Sequence, residues 1–409
     1  MAENDVDLDR IDAAGYPAFL AAFDEVFGQS HADDEVERSK RTAEFDRFLA
    51  ARRAGQVVGT AGAFSFDISL PWAPAAGCAG MTMVSVRADH RRRGLLTRMM
   101  SQLLDDAEQR GEPFAALWAS EGPIYGRYGF GPGIPTGTIR IERDHARFRS
   151  ETVMGEVELV DAEEAAHRFP AIHDAARRHR HGTMSRNDAW WARELADPPE
   201  RRGGAGAKRY AIIGDRGNDR GYAIHRLRPR WDEGVPRGTV EVQELVATDA
   251  DAHRSLWRFV IDTDLASVTT AGSLPVDDPI AVLLEDPVRN RPSLGWPVYL
   301  RLVDLPAAVM SRGYRTDDTL TLRVHDRFRP RNDGTWRVAV VDGVASCEAV
   351  GGPADLELDA TSLATIALGG VRVTSLAAAG VVTASTPDAV PRLERLLATD
   401  VAPWHGSMF

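Results

Sequence analysis

Three consecutive arginines and a glycine form a bend in which the chain could bind an anion. The segment reads Val84-Ser-Val86, then Arg87-Ala-Asp-His90, then Arg91-Arg-Arg-Gly94-Leu-Leu96, so an apolar strand runs into a turn that opens a helix. The first turn of a helix leaves backbone N–H groups without intrahelical partners, and the helix dipole is positive there. Gly94 lets a phosphate approach the backbone closely, and the arginines add forked donors suited to a pyrophosphate. The pattern predicts an anion cradle.

The alternative to an anion cradle is a solvated basic helix start, which the arginines alone would favour. The strand, Gly94 and the helix in register favour the cradle.

The chain has no GxxxxGK(S/T), GxSxG or HExxH segment. Gly129-Phe-Gly131-Pro-Gly133 is only superficially like a dinucleotide loop, because its prolines forbid the helix that must follow, and we expect a loop there. His179 and His181 could touch a metal, but a basic helix end before Gly182 is the better interpretation, and we expect no metal site.

Hydrophobic periodicity indicates the elements that hold this bend. Leu95–Gln109 has its apolar residues on one stripe, which predicts a helix. Met81–Val86 and Phe114–Ala119 have the length and pattern of strands, so residues 81–119 predict a βαβ unit. Upstream, the same criteria predict a helix over Pro17–Phe27 and a strand over Gln56–Phe66.

The central part of the chain repeats this pattern. The elements predicted there are a hairpin of Tyr210–Ile213 and Tyr222–Leu227 around a turn at Gly214–Gly221, a strand Val240–Val246, a helix Asp251–Ile261 and a strand Ala266–Thr270. At an offset of 160 residues, Val86–Asp89 aligns with Val246–Asp249. Arg91–Gly94 then falls on Asp251–Arg254. We interpret the second block as a copy of the first that has lost the chemistry of its loop.

The overall composition excludes several classes of protein. The chain has 409 residues, a formal net charge of −11 and a sequence pI near 5.5, which argues against a dedicated nucleic-acid binder. Its two cysteines, Cys78 and Cys347, indicate neither a disulfide framework nor a zinc site. With no signal peptide and no apolar run of bilayer length, we expect a soluble cytoplasmic protein without a membrane span.

Breaks in composition predict three domains in an α/β (α+β) architecture. The Gly/Pro-rich stretch Gly122–Gly137 and polar residues 141–157 mark one boundary, and a rise in proline density near residue 290 marks another. The predicted domains cover residues 1–150, 151–290 and 291–409. The last is predicted to contain strands Val298–Val303, Thr319–His325, Trp336–Val341 and Ala345–Ala349 and helices Thr361–Leu368 and Pro391–Leu397.

Two segments carry a resemblance to known acetyltransferases. Arg91-Arg-Arg-Gly94-Leu-Leu96 resembles the acyl-CoA-binding motif R/Q-x-x-G-x-G/A of the GNAT superfamily, with Leu96 where Gly or Ala is common. Ala119-Ser-Glu-Gly-Pro-Ile-Tyr125-Gly-Arg-Tyr-Gly-Phe-Gly-Pro132 narrows the resemblance to the Eis (enhanced intracellular survival) family, over nearly the whole chain. That resemblance implies two tandem GNAT-like domains, the second degenerate, and a C-terminal sterol-carrier-protein-like domain. It also implies acetyl-CoA as cosubstrate and a homohexamer.

The resemblance also implies which residues bind the cofactor. The backbone of Val84 and Val86 would hydrogen-bond the pantetheine arm, with the Val84 N–H facing the thioester oxygen. Amides from Arg92 through Thr97 would hold the pyrophosphate, helped by the side chains of Arg91 and Arg92. The implied cofactor-binding set is Val84, Val86, Arg91, Arg92, Gly94, Leu95, Leu96, Thr97 and Ser120.

Two catalytic residues follow from the same resemblance. Tyr125 would act as general acid for the departing thiolate, because a phenol stays protonated at neutral pH; its alternative is a packed loop tyrosine, and Tyr128 is a neighbouring candidate. The chain ends in Phe409, and Eis proteins use the carboxylate of a C-terminal Phe in the active site, so Phe409 would accept the proton of the amine. The alternative is a frayed terminus without a role.

Three apolar residues, Phe27, Phe66 and Met83, match positions that line the substrate cavity of the family, with core packing as the alternative for each. Gln29 and Met408 stand where better-known members carry acids, which would weaken attraction for polycations unless the acids between Asp33 and Glu37 compensate. Trp118 occupies a place commonly held by a smaller side chain and would narrow the cleft.

The leading hypothesis is therefore an acetyl-CoA-dependent N-acetyltransferase. Its substrates would be primary amines of aminoglycosides, small polyamines or lysine side chains. The alternative is a non-catalytic acyl-CoA-binding or lipid-binding carrier protein. Such a protein would need neither Tyr125 nor Phe409.

Overall fold

The structure is a computed structural model that describes residues 6–149, 155–295 and 297–409. These residues form two units. The first contains the chain up to residue 134 with 297–399 and 407–409, and the second contains 135–296 with 400–406. Every helix in the described ranges is too short or too polar to cross a bilayer.

The N-terminal segment supplies most of the first sheet. Its strands are β1 (Asp7–Arg10), β2 (Leu49–Arg53), β3 (Gln56–Leu70), β4 (Ala73–Val86), β5 (Phe114–Trp118) and β6 (Gly131–Ile134). Its helices are α1 (Tyr16–Phe27), α2 (Asp33–Lys40), α3 (Leu95–Gln109) and α4 (Gly122–Gly126). The helices predicted over Pro17–Phe27 and Leu95–Gln109 are confirmed, as are the three strands predicted in this segment.

The central segment forms the second sheet and its helices. Its strands are β7 (Gly137–Glu142), β8 (Val157–Val160), β9 (Arg209–Asp215), β10 (Asn218–Arg228), β11 (Trp231–Asp232), β12 (Val235–Pro236), β13 (Gly238–Ala247), β14 (Ala266–Leu274) and β15 (Ser293–Leu294). Its helices are α5 (Ala162–Arg177), α6 (Asp188–Leu195), α7 (Ala250–Ile261) and α8 (Ile280–Leu283). The predicted hairpin is confirmed with a tighter turn, since β9 and β10 leave only residues 216 and 217 between them.

The C-terminal segment adds a third sheet. Its strands are β16 (Val298–Leu302), β17 (Asp318–His325), β18 (Gly334–Val341), β19 (Val344–Ala349), β20 (Leu356–Asp359) and β21 (Val382–Ala384). Its helices are α9 (Leu305–Ser311), α10 (Ala360–Ile366), α11 (Val373–Ala378) and α12 (Ala389–Leu397). The third sheet has the order β19-β18-β17-β20-β21, whereas β16 belongs to the first sheet.

The first sheet has the order β1-β2-β3-β4-β5-β16-β6. Helix α3 packs on it through a buried stripe, and small residues on the sheet, including Ala61, Ala63 and Ala79, let the helix lie close. The C-terminal segment contacts the N-terminal segment at two points. Phe328 packs edge-on against Tyr128, which follows α4, at a centroid distance of 4.8 Å, and Arg329 pairs with Asp105 on α3 at 2.7 Å.

The second sheet has the order β15-β7-β14-β13-β10-β9-β8. Strands β13 and β14 pair in parallel on either side of α7, as β4 and β5 do on either side of α3. The internal repeat inferred from the sequence is thus a repeat of the same β-α-β unit. Helix α7 buries Leu256, Trp257 and Val260 in the core of this unit.

The Gly/Pro-rich stretch after α4 differs from its prediction. It is not a loop, because Gly131–Ile134 is strand β6, paired with β16. Its glycines allow a close approach: a Cβ on Gly131 would lie within van der Waals overlap of the Thr361 carbonyl oxygen on α10. The Pro residues are tolerated because β6 is an edge strand. The expected absence of a helix directly after Gly133 agrees with the structure.

The proposed domain boundaries remain predictions. The boundary at residue 150 lies outside the described residues. The chain passes from the first sheet to the second between β6 and β7, and it returns to the first sheet with β16. The first sheet thus contains one strand, β16, from beyond its main segment of sequence.

Candidate active site

Strand β4 changes its pairing partway along its length. Its parallel ladder with β5 runs from Cys78 opposite Phe114 to Met81 opposite Leu117 and ends there. Its antiparallel register with β3 shifts just after this point, and Met83 has a φ of 50°, which marks an extra residue in the strand. The bulge turns the end of β4 away from β5. The backbone from residue 82 to Val86 therefore has no adjacent strand on that side in the described sheet.

Two hydroxyl groups fix the bulge. The Thr60 hydroxyl on β3 donates to the Met83 carbonyl oxygen at 2.7 Å and lies 2.7 Å from the Ser85 hydroxyl. Thr60 and Ser85 are both buried. Val84 and Val86, the residues expected to hold a pantetheine arm, are half-buried at the end of this strand.

The arginine bend lies directly after β4 and starts α3. Arg92 and Gly94 have φ values of 61° and 74°, and Gly94 is the N-cap of α3 without a side-chain cap. A Cβ on Gly94 would meet nothing within 4 Å, so glycine is required there for its backbone conformation. Arg91 is held by a 3.4 Å hydrogen bond to the Val86 carbonyl and Arg93 by a 3.1 Å hydrogen bond to the Asp89 carbonyl. Such a bend presents backbone N–H groups and guanidinium groups to solvent.

The other predicted cofactor residues lie around this bend with different exposure. Leu95 is buried in the core and Leu96 is half-buried, whereas Thr97 and Ser120 are exposed. The Thr97 hydroxyl lies 3.3 Å from the Tyr128 hydroxyl. Among the described residues, Arg92 has no ion-pair or hydrogen-bond partner. The predicted set thus combines anchoring residues with side chains that are available to a ligand.

Tyr125 is buried on α4, with 6% of its surface exposed. Burial raises the pKa of Tyr125 to about 12; the neighbouring Tyr128 adds to this rise, and a hydrogen bond with Ser120 opposes it. Its ring packs edge-on against Phe130 at a centroid distance of 6.3 Å. Tyr125 is therefore both a packed tyrosine and a phenol that stays protonated at any physiological pH.

The C-terminal Phe409 is buried with 9% of its surface exposed, so the terminus is not frayed. Its ring lies 5.1 Å from that of Phe66, centroid to centroid. Both rings cover Gly80 on β4: a Cβ at this position would lie 2.5 Å from Phe66 Cε2 and 3.2 Å from Phe409 Cδ2. Glycine at position 80 is thus required for the terminal ring to dock.

Tyr125 and Phe409 belong to two groups that flank one point of β4. Tyr125 lies in the same buried cluster as Met81, whereas Phe409 covers Gly80. Adjacent residues of a strand direct their side chains to opposite faces of the sheet. Gly80 and Met81 are also the last β4 residues paired with β5. Gly80, which the Phe409 ring covers, and Met81, which shares a cluster with Tyr125, therefore direct their side-chain positions to opposite faces where the pairing of β4 with β5 ends.

The remaining predicted substrate residues have mixed surroundings. Phe66 is buried, Met83 is half-buried, and Phe27 is 40% exposed and stacked on Phe23 at a centroid distance of 4.4 Å. Core packing does not explain Phe27. Acids on α2 could compensate for those that are absent at positions 29 and 408. Two of them already form ion pairs within the helix, Asp34 with Arg38 and Glu37 with Lys40, both at 2.5 Å.

Comparisons with known proteins cover nearly the whole chain. Residues 7–133 and 182–302 each match a family described as an acetyltransferase (GNAT) domain, and residues 305–406 match a sterol carrier protein domain. An uncharacterized N-acetyltransferase of Streptomyces avermitilis is 36% identical over 399 residues, 96% of each chain. N-acetyltransferase Eis of Mycobacterium tuberculosis is 32% identical over 85% of this chain and 84% of its own. The chain belongs to the Eis-like GNAT N-acetyltransferases.

A solved structure supports the same assignment. Eis1 from Mycobacterium abscessus superposes with a TM-score of 0.86 and 28% identity, over 98% of this chain and 100% of its own. This Eis-like protein is accordingly an acetyltransferase, and GNAT acetyltransferases use acetyl-CoA. The predicted fold class is confirmed, with two GNAT domains and a sterol-carrier-like domain. A carrier without an acetyltransferase domain is not supported.

Several residues that shape the site escaped the sequence analysis. Their partners are distant in sequence. Gly80 is covered by the rings of Phe66 and Phe409, and Thr60 bonds to Ser85 on the neighbouring strand. Strand β16, which pairs with β5, also comes from a distant part of the chain. The available signal was the glycine at position 80 inside an apolar strand, which is typical of a bulge or a close approach.

A substitution at Gly80 tests the docking of the chain terminus. Gly80→Ala should lower the free energy of unfolding by about 1–3 kcal/mol, because the added methyl overlaps two aromatic rings in a packed core. It should also lower acetyltransferase activity by displacing Phe409. Urea unfolding and steady-state rates measure the two effects. Gly272→Ala is the matched control, since its Cβ would meet nothing within 4 Å; equal effects of the two substitutions would contradict the proposed contact.

Proposed function

We propose that this Eis-like protein transfers the acetyl group of acetyl-CoA to a primary amine by direct attack. Tyr125 would act as general acid and the Phe409 carboxylate as general base. The observation that supports this most strongly is that the β4–β5 pairing ends at Gly80, which the Phe409 ring covers, and Met81, which belongs to the same buried cluster as Tyr125. A thioester held by the free end of β4 would lie between Tyr125 and Phe409.

The cofactor would bind along β4 and the arginine bend. The pyrophosphate would accept hydrogen bonds from backbone amides between Arg92 and Thr97 and from the guanidinium groups of Arg91 and Arg92. The Val84 N–H would donate to the thioester oxygen. One donor aimed at developing negative charge contributes about 3–4 kcal/mol to the transition state.

The reaction needs a neutral amine, and a free alkylammonium has a pKa of about 10.4. The Phe409 carboxylate would take the proton directly or through water. The amine nitrogen then attacks the carbonyl carbon and gives a tetrahedral intermediate whose nitrogen carries one proton more than the amide product. The C–S bond breaks as Tyr125 donates its proton to the leaving sulfur, and the extra proton on nitrogen passes to the Tyr125 phenolate directly or through water. An α-carboxylate is a weak base in water, with a pKa of about 3.5, so the proposed proton transfer depends on the position of this group, which the buried contact of the Phe409 ring with Phe66 would fix.

The substrate class proposed here is primary amines of small polyamines, aminoglycosides or lysine side chains. Phe27, Phe66 and Met83 would supply the apolar lining. Gln29 and Met408 carry no charge, and the acids of α2 are partly neutralised by their own helix. We therefore expect amines of low charge to be better substrates than polycationic aminoglycosides.

We also propose a cytoplasmic, homo-oligomeric and specifically hexameric protein. Both cysteines are free thiols, with Cys78 buried and Cys347 half-buried, which suits a reducing compartment. Sedimentation of the purified chain measures the subunit count.

Release of free CoA thiol from acetyl-CoA tests the proposed function. A lysine peptide, spermidine and tobramycin should be compared, with the expected order of kcat/KM falling as the charge of the amine rises. A mass increase of one acetyl group in the amine must accompany thiol release. If a broad amine panel gives no transfer while CoA still binds, the substrate class is wrong.

A further inference from the structure

The second unit contains a cavity of about 530 Å³ at the position that corresponds, in the internal repeat, to the arginine bend. Its wall includes Leu245–Ala250, where β13 ends and α7 begins, and the C-terminal end of α5. Strand β13 pairs with β14 only as far as Val242, so these parallel strands part before the cavity, as β4 and β5 do. The volume is in the range of small-molecule sites.

The cavity is unsuited to a pyrophosphate. The Asp249 carboxylate caps α7 by accepting a hydrogen bond from the Ala252 N–H at 2.8 Å. Asp251 adds a second negative charge in the first turn. A backbone donor of the kind proposed to bind phosphate at the start of α3 is thus already engaged at the start of α7, and like charge would repel a dianion.

Two side chains on α5 contribute buried polar atoms without partners among the described residues. Both ring nitrogens of His173, which is 1% exposed, and Nη1 of Arg177 lack a hydrogen-bond partner, and both residues line the cavity. Residues four apart lie on one helix face. A buried polar group left unpaired costs about 1–3 kcal/mol. A ligand in the cavity would give these atoms the partners that the described residues do not supply.

The state of His173 is set by its surroundings. Burial, with Arg186 and Arg177 nearby, holds the pKa of the imidazole well below its usual range. The neutral ring offers one N–H donor. It is fixed in orientation by an edge-on contact with Trp191, at a centroid distance of 5.4 Å and an interplanar angle of 88°. The donor is thus preorganised.

Most of the charged side chains that line the cavity are paired. They are four arginines and two aspartates. Arg177 pairs through Nε with Asp174 at 2.9 Å, and Arg180 pairs with Asp277 at 2.6 Å. Asp249 pairs with Arg220 at 3.2 Å, and Asp278 lies 3.1 Å from His253 Nε2. The rest of the wall is largely apolar and contributes Leu245, Val246, Pro279, Val282, Leu283 and Trp404. Because Nη1 of Arg177 is left without a partner among the described residues, a matching ligand offers it one anionic acceptor and has an aliphatic body.

We propose that the second GNAT domain carries its own ligand site, which binds an aliphatic monocarboxylate with its carboxylate on His173 and Arg177 and its chain along the apolar wall. The site is separate from the proposed catalytic centre. Its test is a binding measurement, so its failure and the failure of the acetyl-transfer proposal can be told apart.

Calorimetric titration of the full chain with octanoate tests this proposal. Octanoate should bind, and octylamine, which has the same aliphatic chain but opposite charge, should bind at least tenfold more weakly. His173→Leu and Arg177→Met should each weaken octanoate binding by about tenfold or more, because each removes a hydrogen bond to a charged group. The matched controls His167→Leu and Arg178→Met, exposed residues of or beside α5, should leave binding unchanged.

A stability measurement separates a ligand site from a structural histidine. Without octanoate, His173→Leu should raise Tm, since it removes polar atoms that have no partner, whereas a structural hydrogen-bonding role would lower Tm. Ala176→Phe fills the cavity and keeps both polar residues, so it should abolish octanoate binding. This variant tests the site independently if His173→Leu does not fold. Absence of octanoate binding, or binding that none of these three variants changes, would overturn the proposal.

Discussion

Tyr125→Phe should lower kcat for acetyl transfer by about 10²–10⁴-fold, which is the contribution expected of a positioned general acid. The substitution removes one oxygen from a buried ring that packs against Phe130, so the fold and the affinity for CoA should change little. Steady-state kinetics with a lysine peptide and calorimetric titration with CoA measure the two quantities. Loss of CoA affinity equal to the loss in kcat would contradict an acid role.

Tyr128→Phe is the matched control for Tyr125→Phe. Tyr128 is also buried and only three residues away, but its hydroxyl lies 3.3 Å from Thr97. The Tyr128→Phe variant should retain most of the activity of the wild-type chain. If Tyr128→Phe is the inactive variant and Tyr125→Phe is active, the acid has been assigned to the wrong tyrosine.

The pH dependence of the wild-type rate gives an independent check on Tyr125. An acid must be protonated to act, so activity is lost as pH rises through its pKa. Since burial raises the pKa of Tyr125 to about 12, kcat should not fall between pH 8 and pH 10. A phenol with its ordinary pKa of about 10 would begin to lose activity about one unit below that value. A decline in kcat that starts near pH 9, and is absent from Tyr125→Phe, would therefore contradict the assigned environment.

Local sequence patterns predicted the elements around the bend accurately, because their cause is local. The stripe of Leu103 and Leu104 fixes which face of α3 is buried, and Gly94 fixes where the helix begins. The same reasoning gave the β-α-β repeat in the second domain. The arginines alone favour a solvated helix start, and the strand, Gly94 and the helix in register favour an anion cradle; the assignment of that anion to acyl-CoA needed the family resemblance.

Features that depend on distant partners could not be predicted in this way. The bulge at Met83 is held by Thr60 on another strand, and the glycines of β6 are explained by the close approach of α10. Likewise, nothing in the pattern around His173 indicates that the ring loses both hydrogen-bond partners on folding. Sequence reasoning located the Arg177–His181 segment as a basic helix end, which α5 confirms, but the cavity beside it arises only from tertiary packing.

Replacing the C-terminal carboxylate by a carboxamide should lower kcat by about 10²-fold or more, because it removes the proposed base and keeps the ring of Phe409 in place. The variant can be made by ligating a synthetic C-terminal peptide that ends in the amide. The same ligation with the free acid is the control and should restore full turnover. Thermal unfolding should be nearly the same for the two products, since the ring contact with Phe66 is unchanged.

Extension of the chain separates the charge of the terminus from its position. One glycine added after Phe409 keeps a terminal carboxylate but moves it by one residue, which is up to about 3.6 Å along an extended chain. A base must lie within hydrogen-bond reach of the proton it takes or be linked to it by one water, so this extension should lower kcat as strongly as the carboxamide does. Phe409→Leu, which keeps the carboxylate at its own position, should lose less. Full activity in the extended chain would show that the carboxylate has no part in proton transfer, because the ring alone would then suffice.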